Sequence, residues 1–264
     1  MDLIRYDSLV YFSNWKIDFP DEYYVNQGIP RKINIPSLTN LDQLFDDCCL
    51  FVKTDLLPNV YLHLKNISKP IHLITGNSDI TPSNNLIKLI LENKNIKSWV
   101  SNHIEKIDEK ILQIPAGFQE YGKNRSNWVV YPSYSIKDIL FLITPMGDTN
   151  PNRKELDNIS LDGLVRVTQR LKYSEFIDYL GRAYFTFCPA GNAVDSHRVC
   201  ESIIMNSIPI VKTSILDPMY KEMGCLILDN WADAKATFNH LDSNVVTLDY
   251  WKKRIKDHQN KFKG

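Results

Sequence analysis

The sequence predicts an α/β protein made of two Rossmann-like halves, each with a parallel sheet. Three observations lead there. Short apolar runs alternate with amphipathic helical stretches along most of the chain. Several of those runs are apolar throughout, the mark of parallel strands buried on both faces. The alternation also restarts after a polar stretch, Gly122 to Ser133, so the expected halves are residues 1–128 and 129–264.

Residues 1–45 are interrupted by Pro20, Gly28, Pro30 and Pro36 and are expected to be irregular. Leu50 to Thr54 reads as a strand, and Val60 to Asn66 as part of a helix or a strand. Pro70 to Thr75 is a compact apolar run that enters the turn Gly76-Asn-Ser-Asp79. Asn85 to Asn93 carries apolar residues at 86, 87, 89, 90 and 91, a helix with a broad buried face. Ile96 to Ser101 and Ile111 to Pro115 are further strands.

In the second half, Asp138 to Thr144 reads as a strand, followed by the polar loop Pro145 to Arg153. Leu161 to Gln169 and Ser174 to Gly181 read as helices, with Ser174 as the cap of the second. Ala183 to Cys188 is a strand, Pro189-Ala-Gly-Asn192 a turn, and about Ser196 to Met205 a helix. Ile208 to Val211 and Cys225 to Leu228 are short strands. The basic tail from Thr247 sets Leu248, Trp251 and Ile255 at helical spacing.

Composition narrows the function. Lys plus Arg and Asp plus Glu number 31 each, so no overall field calls for nucleic acid or an acidic membrane. The five cysteines form no C-x-x-C or zinc-like spacing, which suggests free thiols in a reduced compartment, hence a cytoplasmic location. No signal peptide is expected at the N-terminus, and no apolar stretch approaches the roughly 20 residues of a membrane span. The sequence lacks G-x-G-x-x-G, G-x-x-x-x-G-K-[ST] and G-x-S-x-G, which argues against dinucleotide, P-loop and serine-hydrolase chemistry.

Phe185 to Val211 carries the chemistry. A buried strand ends in a Pro/Gly turn, and the turn feeds a helix capped by Asp195 or Ser196. Gly191 allows a close backbone approach, and the first helical N–H groups with the helix dipole form an anion site suited to a diphosphate. Arg198 in the first turn either binds phosphate or pairs with Asp195. Glu201, one turn on, either accepts ribose hydroxyls or is a solvated acid. His197 is a ligand contact or a structural histidine. Arg153, after Thr149 and Asn150, is a second candidate phosphate contact or a surface residue.

This segment resembles the donor-binding motif of exostosin-like glycosyltransferases, particularly the short versions related to algal and large-virus enzymes. Pro189, Gly191, Arg198, Glu201 and Pro209-Ile-Val211 carry the likeness. Asn206-Ser207 departs from it, because a small Gly-type turn is usual there. Gly76 to Asp79, Trp99 to His103, Ile114 to Gly117 and Thr149 to Arg153 resemble other blocks of the same enzymes, so the likeness runs through residues 70 to 235.

The resemblance implies a GT-B-like fold with the acceptor half first and the donor half second. It implies transfer of a hexose or pentose from a UDP- or GDP-linked sugar to a hydroxyl of a glycan or other acceptor, without metal or cofactor. The absence of D-x-D agrees. Donor contacts would come from Thr149, Arg153, Pro189, Gly191, Asn192, Asp195, His197, Arg198 and Glu201. An inverting transfer needs a general base, and Asp79 or His103 could supply it. A retaining transfer does not. Asp79 could equally cap a helix or form an Asx-turn. A catalytically inactive sugar- or nucleotide-binding module is the alternative.

Overall fold

A computed structural model of the chain describes residues 3–5, 8–17, 31–32, 41, 43–118, 136–237 and 241–263. The chain divides into two compact units, Met1–Ser126 with Leu248–Gly264, and Asn127–Thr247. The expected boundary at 128/129 and the polar break before it lie outside the described residues.

The first unit holds β1 (Trp15–Ile17), β2 (Arg31–Lys32), β3 (Cys48–Lys53), α1 (Leu57–Leu64), β4 (Ile71–Gly76), α2 (Asn84–Glu92), β5 (Ile96–Ser101) and β6 (Ile111–Gln113). Its sheet has the order β2-β1-β3-β4-β5-β6, with every pairing parallel. All six residues of β4 are buried, as its unbroken apolar run requires of a central parallel strand. Leu86, Ile87 and Ile90 form the buried stripe of α2, and Ser83 caps that helix by accepting from Leu86 N–H at 3.3 Å. Trp99 of β5 is fully buried. Its indole N–H donates to Thr75 Oγ1 at 2.9 Å, and Thr75 in turn donates to Ser101 Oγ at 2.9 Å. Of the segment expected to be irregular, β1 and β2 are strands, and residues 18–30 and 33–40 lie outside the described residues. Trp15, Lys16 and Ile17 are buried in a strand between β2 and β3.

The second unit holds β7 (Ile139–Ile143), β8 (Leu164–Arg166), α3 (Tyr173–Arg182), β9 (Ala183–Phe187), α4 (His197–Ile204), β10 (Ile208–Lys212), α5 (Asp217–Glu222) and β11 (Leu226–Leu228). Its sheet runs β11-β10-β9-β7-β8, again parallel throughout. The fold is therefore the predicted α/β plan of two Rossmann-like halves, GT-B-like in giving each half its own parallel sheet. Phe141, Phe185, Phe187 and Trp231 pack together, with Phe141 and Phe185 centroids 5.3 Å apart and Phe187 and Trp231 centroids 5.6 Å apart. Ile139, Leu142, Leu180, Ala183 and Met205 form a second cluster.

Several local readings need correction. Leu161 to Gln169 is a turn and an edge strand rather than a helix. Gly163 sits at φ +72°, where a Cβ would come within 2.9 Å of Leu140 Cβ, and the chain then pairs with β7. α3 begins at Tyr173, not after a Ser174 cap, and Lys172 N–H donates to the Glu175 carboxylate at 2.7 Å. Asn206 takes φ +58°, so an asparagine occupies the left-handed helix-ending position expected of glycine. Ser207 N–H closes that turn on Ser202 O at 2.9 Å.

The tail forms the helix α6 (Leu248–Asn260), as its spacing predicts. It belongs with the first unit, whereas the sequence grouped it with the second half. It buries Trp251 and Ile255, His258 Nε2 bonds Lys110 O at 2.9 Å, and Gln259 donates to Cys49 Sγ at 3.1 Å. Periodicity identifies an apolar face but not the sheet that covers it.

Candidate functional site

In the second unit β7 lies between β8 and β9, and the chain leaves β7 toward one neighbour and returns to the other. The carboxyl ends of β7 and β9 thus flank the topological switch point, where open α/β sheets bind ligands. β7 is followed by the loop 144–150 and an eight-residue 3-10 helix, Pro151–Asn158, and β9 by the Pro189 turn and α4.

Two guanidiniums join these loops. Arg153 donates from Nε to Ala190 O and from Nη1 to Gly147 O, both at 2.8 Å. Asn150 Nδ2 adds a bond of 3.0 Å to Gly191 O. A Cβ on Gly191 would stand 3.2 Å from Arg153 Nη2, so glycine lets the guanidinium lie against the turn. Arg198 donates from Nη2 to Pro145 O at 3.2 Å, its Nε is buried without a hydrogen-bond partner, and its guanidinium lies 5.6 Å from the Phe176 ring centre. Burial, and then the neighbouring Arg198 charge, draws the Arg153 pKa below its ordinary value. Among the described residues neither arginine has a carboxylate within ion-pair distance.

The acids near α4 are engaged elsewhere. Asp195 is buried and accepts from Tyr220 OH at 3.0 Å, which decides against its pairing with Arg198 and draws it toward the core. Glu201 is 5% exposed, so it is no solvated helical acid, and its Oε1 accepts from Tyr173 OH at 3.1 Å. Ser196 is the N-cap of α4, yet its side chain makes no capping bond and its Oγ is buried without a partner. Pro189 is buried, His197 half-buried, and Asn192 and Thr149 are exposed.

Tyr173 and Phe176 were missed by sequence reasoning. They lie three residues apart on α3 and so share a face, with one touching Glu201 and the other Arg198. An aromatic pair at helical spacing in a first turn was the available signal.

In the first unit, Asp79 follows the β4 turn and is exposed. Asn77 takes φ +54° in that turn, and the cap of α2 is Ser83, so the helix-cap reading of Asp79 is set aside. His103, beyond β5, is 3% exposed, and its backbone N–H donates to Ser101 Oγ at 3.4 Å. Three further polar residues stand at the ends of β3 and β5, of which only Asn102 lies in a segment that the sequence singled out. Lys53 Nζ lies 3.4 Å from Asp55 Oδ2, and the buried Asn102 amide has no partner for either polar atom.

All five cysteines are free, as expected. Among the described residues no group of three or more His, Cys, Asp or Glu could hold a metal ion. Among the same residues no helix is long and apolar enough to cross a membrane.

No family model matches the chain, and no curated protein matches it. Among solved structures it is similar to TarM, at 11% identity and a TM-score of 0.38, over 85% of this chain and 51% of that one. It is also similar to the GtfA/B complex, at 8% identity and a TM-score of 0.39, over 86% of this chain and 56% of that one. The chain spans about half the length of these structures.

Proposed function

We propose that the protein is a glycosyltransferase whose second unit binds a nucleoside-diphosphate sugar, UDP- or GDP-linked, and whose acceptor is a hydroxyl of a glycan or similar molecule. The observation that carries this reading is the pair of arginines at the switch point. Arg153 and Arg198 converge on the Pro189–Asn192 turn and the loop after β7, with backbone carbonyls as their hydrogen-bond acceptors. Two like charges held together in a half-buried setting cost free energy that a bound dianion offsets. The resemblance of Pro189, Gly191, Arg198 and Glu201 to the exostosin-like donor motif points the same way.

Each group then has a role. Arg153, Arg198 and the side-chain-uncapped start of α4 hold the diphosphate and meet the charge that develops on it as the sugar leaves. In this reading guanidiniums, rather than a metal ion, neutralise the leaving group. Glu201, oriented by Tyr173, accepts hydroxyls of the ribose. An acceptor hydroxyl attacks the anomeric carbon, the bond from that carbon to the diphosphate oxygen breaks, and a base in the first unit takes the hydroxyl proton. Asp79 is the better base, because it is exposed whereas His103 is buried.

The test is calorimetric binding of UDP and GDP to the wild type and to Arg198→Ala. Losing one charge-assisted contact should weaken binding about 10- to 100-fold. A wild type that ignores both nucleotides at millimolar concentration, or an Arg198→Ala variant that binds equally well, refutes the donor site. Tight binding without transfer to any acceptor would make the protein a binding module instead.

A further inference from the structure

Cys49, His72 and Ser98 stand in register on β3, β4 and β5, so their side chains form one row across a single face of the first sheet. Their neighbours along β4, Ile71 and Leu73, belong to the apolar core on the other face. The last turns of α6 cover the row. Gln259 donates to Cys49 Sγ at 3.1 Å, and His258 Nε2 bonds Lys110 O, just before β6, at 2.9 Å. His72 is 1% exposed and His258 is 5% exposed. Two titratable rings thus lie buried where the C-terminal helix meets the sheet.

The surroundings favour the neutral form of both rings. His72 Nδ1 lies 2.7 Å from Ser98 Oγ, and its Nε2 is buried without a hydrogen-bond partner. Asp47, in the turn before β3, faces Nε2 at 4.0 Å but is itself 38% exposed. Against it stand Lys97 of β5, Lys263 just beyond α6, and His258. His258 faces Arg254 and Lys261 along its own chain segment, and its ring meets Phe262 edge-on at 5.4 Å. Cys49 stays a neutral thiol, because burial raises it above 9.0. Burial lowers both histidines below the ordinary 6.5, opposed at His72 by Asp47 and at His258 by the Lys110 carbonyl. A lowered folded-state pKa gives stability that is complete above the unfolded value and is lost as pH falls from there through the folded value.

We propose that α6 is an acid-sensitive latch, which proton uptake by His72 and His258 releases from β3, β4 and β5 while the central sheet stays folded. A proton on His72 makes a buried cation beside Lys97, Lys263 and a charged His258, and release of the helix returns both rings to water. Trp251 and Ile255, buried on the same helix, leave with it. Acid thereby acts on the first unit and spares the second. The inference does not depend on the donor-site reading.

Amide hydrogen exchange on the full chain tests the latch, read as protection factors so that the intrinsic pH dependence drops out. Between pH 7.5 and pH 5, α6 should lose protection about tenfold for each histidine, or about 100-fold in all. Over the same range β4, and α4 of the second unit, should change less than about threefold. His72→Asn and His258→Gln place an amide nitrogen where Nδ1 and Nε2 now bond, and neither can charge. The double variant should hold α6 protection constant within about twofold. Asp47→Asn keeps both histidines, and asparagine tolerates the φ of +58° at that position. It removes a charge that favours the protonated ring, so the loss at pH 5 should deepen about twofold or more. Unchanged α6 protection in the wild type, a loss that persists in the double variant, or β4 failing in step with α6 each overturns the inference. Should the double variant not fold, Asp47→Asn decides, and a loss no deeper than that of the wild type refutes the latch.

Discussion

The two sheets share one wiring plan and finish their strands differently. In each, the first strand lies between the second and the third, so each has its own switch point, and only the first unit adds a further strand. At the β3 end of the first unit, Lys53 is matched by Asp55 at 3.4 Å. At the β7 and β9 ends of the second, Arg153 and Arg198 meet backbone carbonyls and each other's field. One set of strand ends pairs its cation with a carboxylate, and the other sets two guanidiniums on backbone carbonyls. A formal net charge of zero conceals this difference entirely. The fold supplies a position for chemistry, and the pairing of charges there decides what enters.

The division can be broken most forcefully in the first unit. If it contributes the base while the second contributes donor binding, Asp79→Asn should lower sugar transfer about 100- to 10,000-fold and leave nucleotide affinity at the wild-type value. Initial rates and calorimetry on the same variant separate the two effects. Full transfer activity in both Asp79→Asn and His103→Gln would remove the base from this unit.

A smaller effect is expected at Glu201. Glu201→Gln should weaken UDP or GDP binding about tenfold and bring it close to the affinity for the 2′-deoxy nucleotide, which the substitution should hardly change. A variant that still prefers the ribonucleotide by the wild-type margin would deny Glu201 its role.

The smallest effect contrasts the two cores. Burial raises the Cys188 thiol at the end of β9 to about 12 and the Cys48 thiol in β3 to about 11, from an ordinary value of 9.0. A raised folded-state pKa gives stability that is complete below pH 9 and is lost as pH climbs toward the folded value. Denaturant unfolding at pH 8 and pH 10 should show Cys188→Ala losing less stability than the wild type by about 1 kcal/mol. Identical pH slopes would mean that the native thiol ionises freely.

What the sequence disclosed depended on burial. β4, β7 and β9 are legible because central parallel strands must be apolar on both faces. β1 is hidden by its brevity and by Lys16 at its centre, a charge that no strand pattern leads one to bury. β8 was misread because an edge strand of three partly exposed residues has no decisive period. At the site, Gly191, Arg198 and Glu201 could be nominated from a local segment. Their supports could not, since Tyr173 lies 28 residues from Glu201, and Pro145 lies 53 from Arg198. Thr144 looked like the end of a strand, and only three dimensions show it buried with its hydroxyl unpartnered.

The return of α6 to the first sheet bears on how the molecule is made. A nascent chain emerges from its N-terminus, and domains generally fold as units during synthesis. The second unit is one continuous segment, Asn127–Thr247, and can close on itself as soon as it has emerged. The first unit must wait for Trp251, Ile255 and His258, which arrive after every other element. The half that is translated first is therefore completed last, and removing the final helix should injure the beginning of the protein rather than its end.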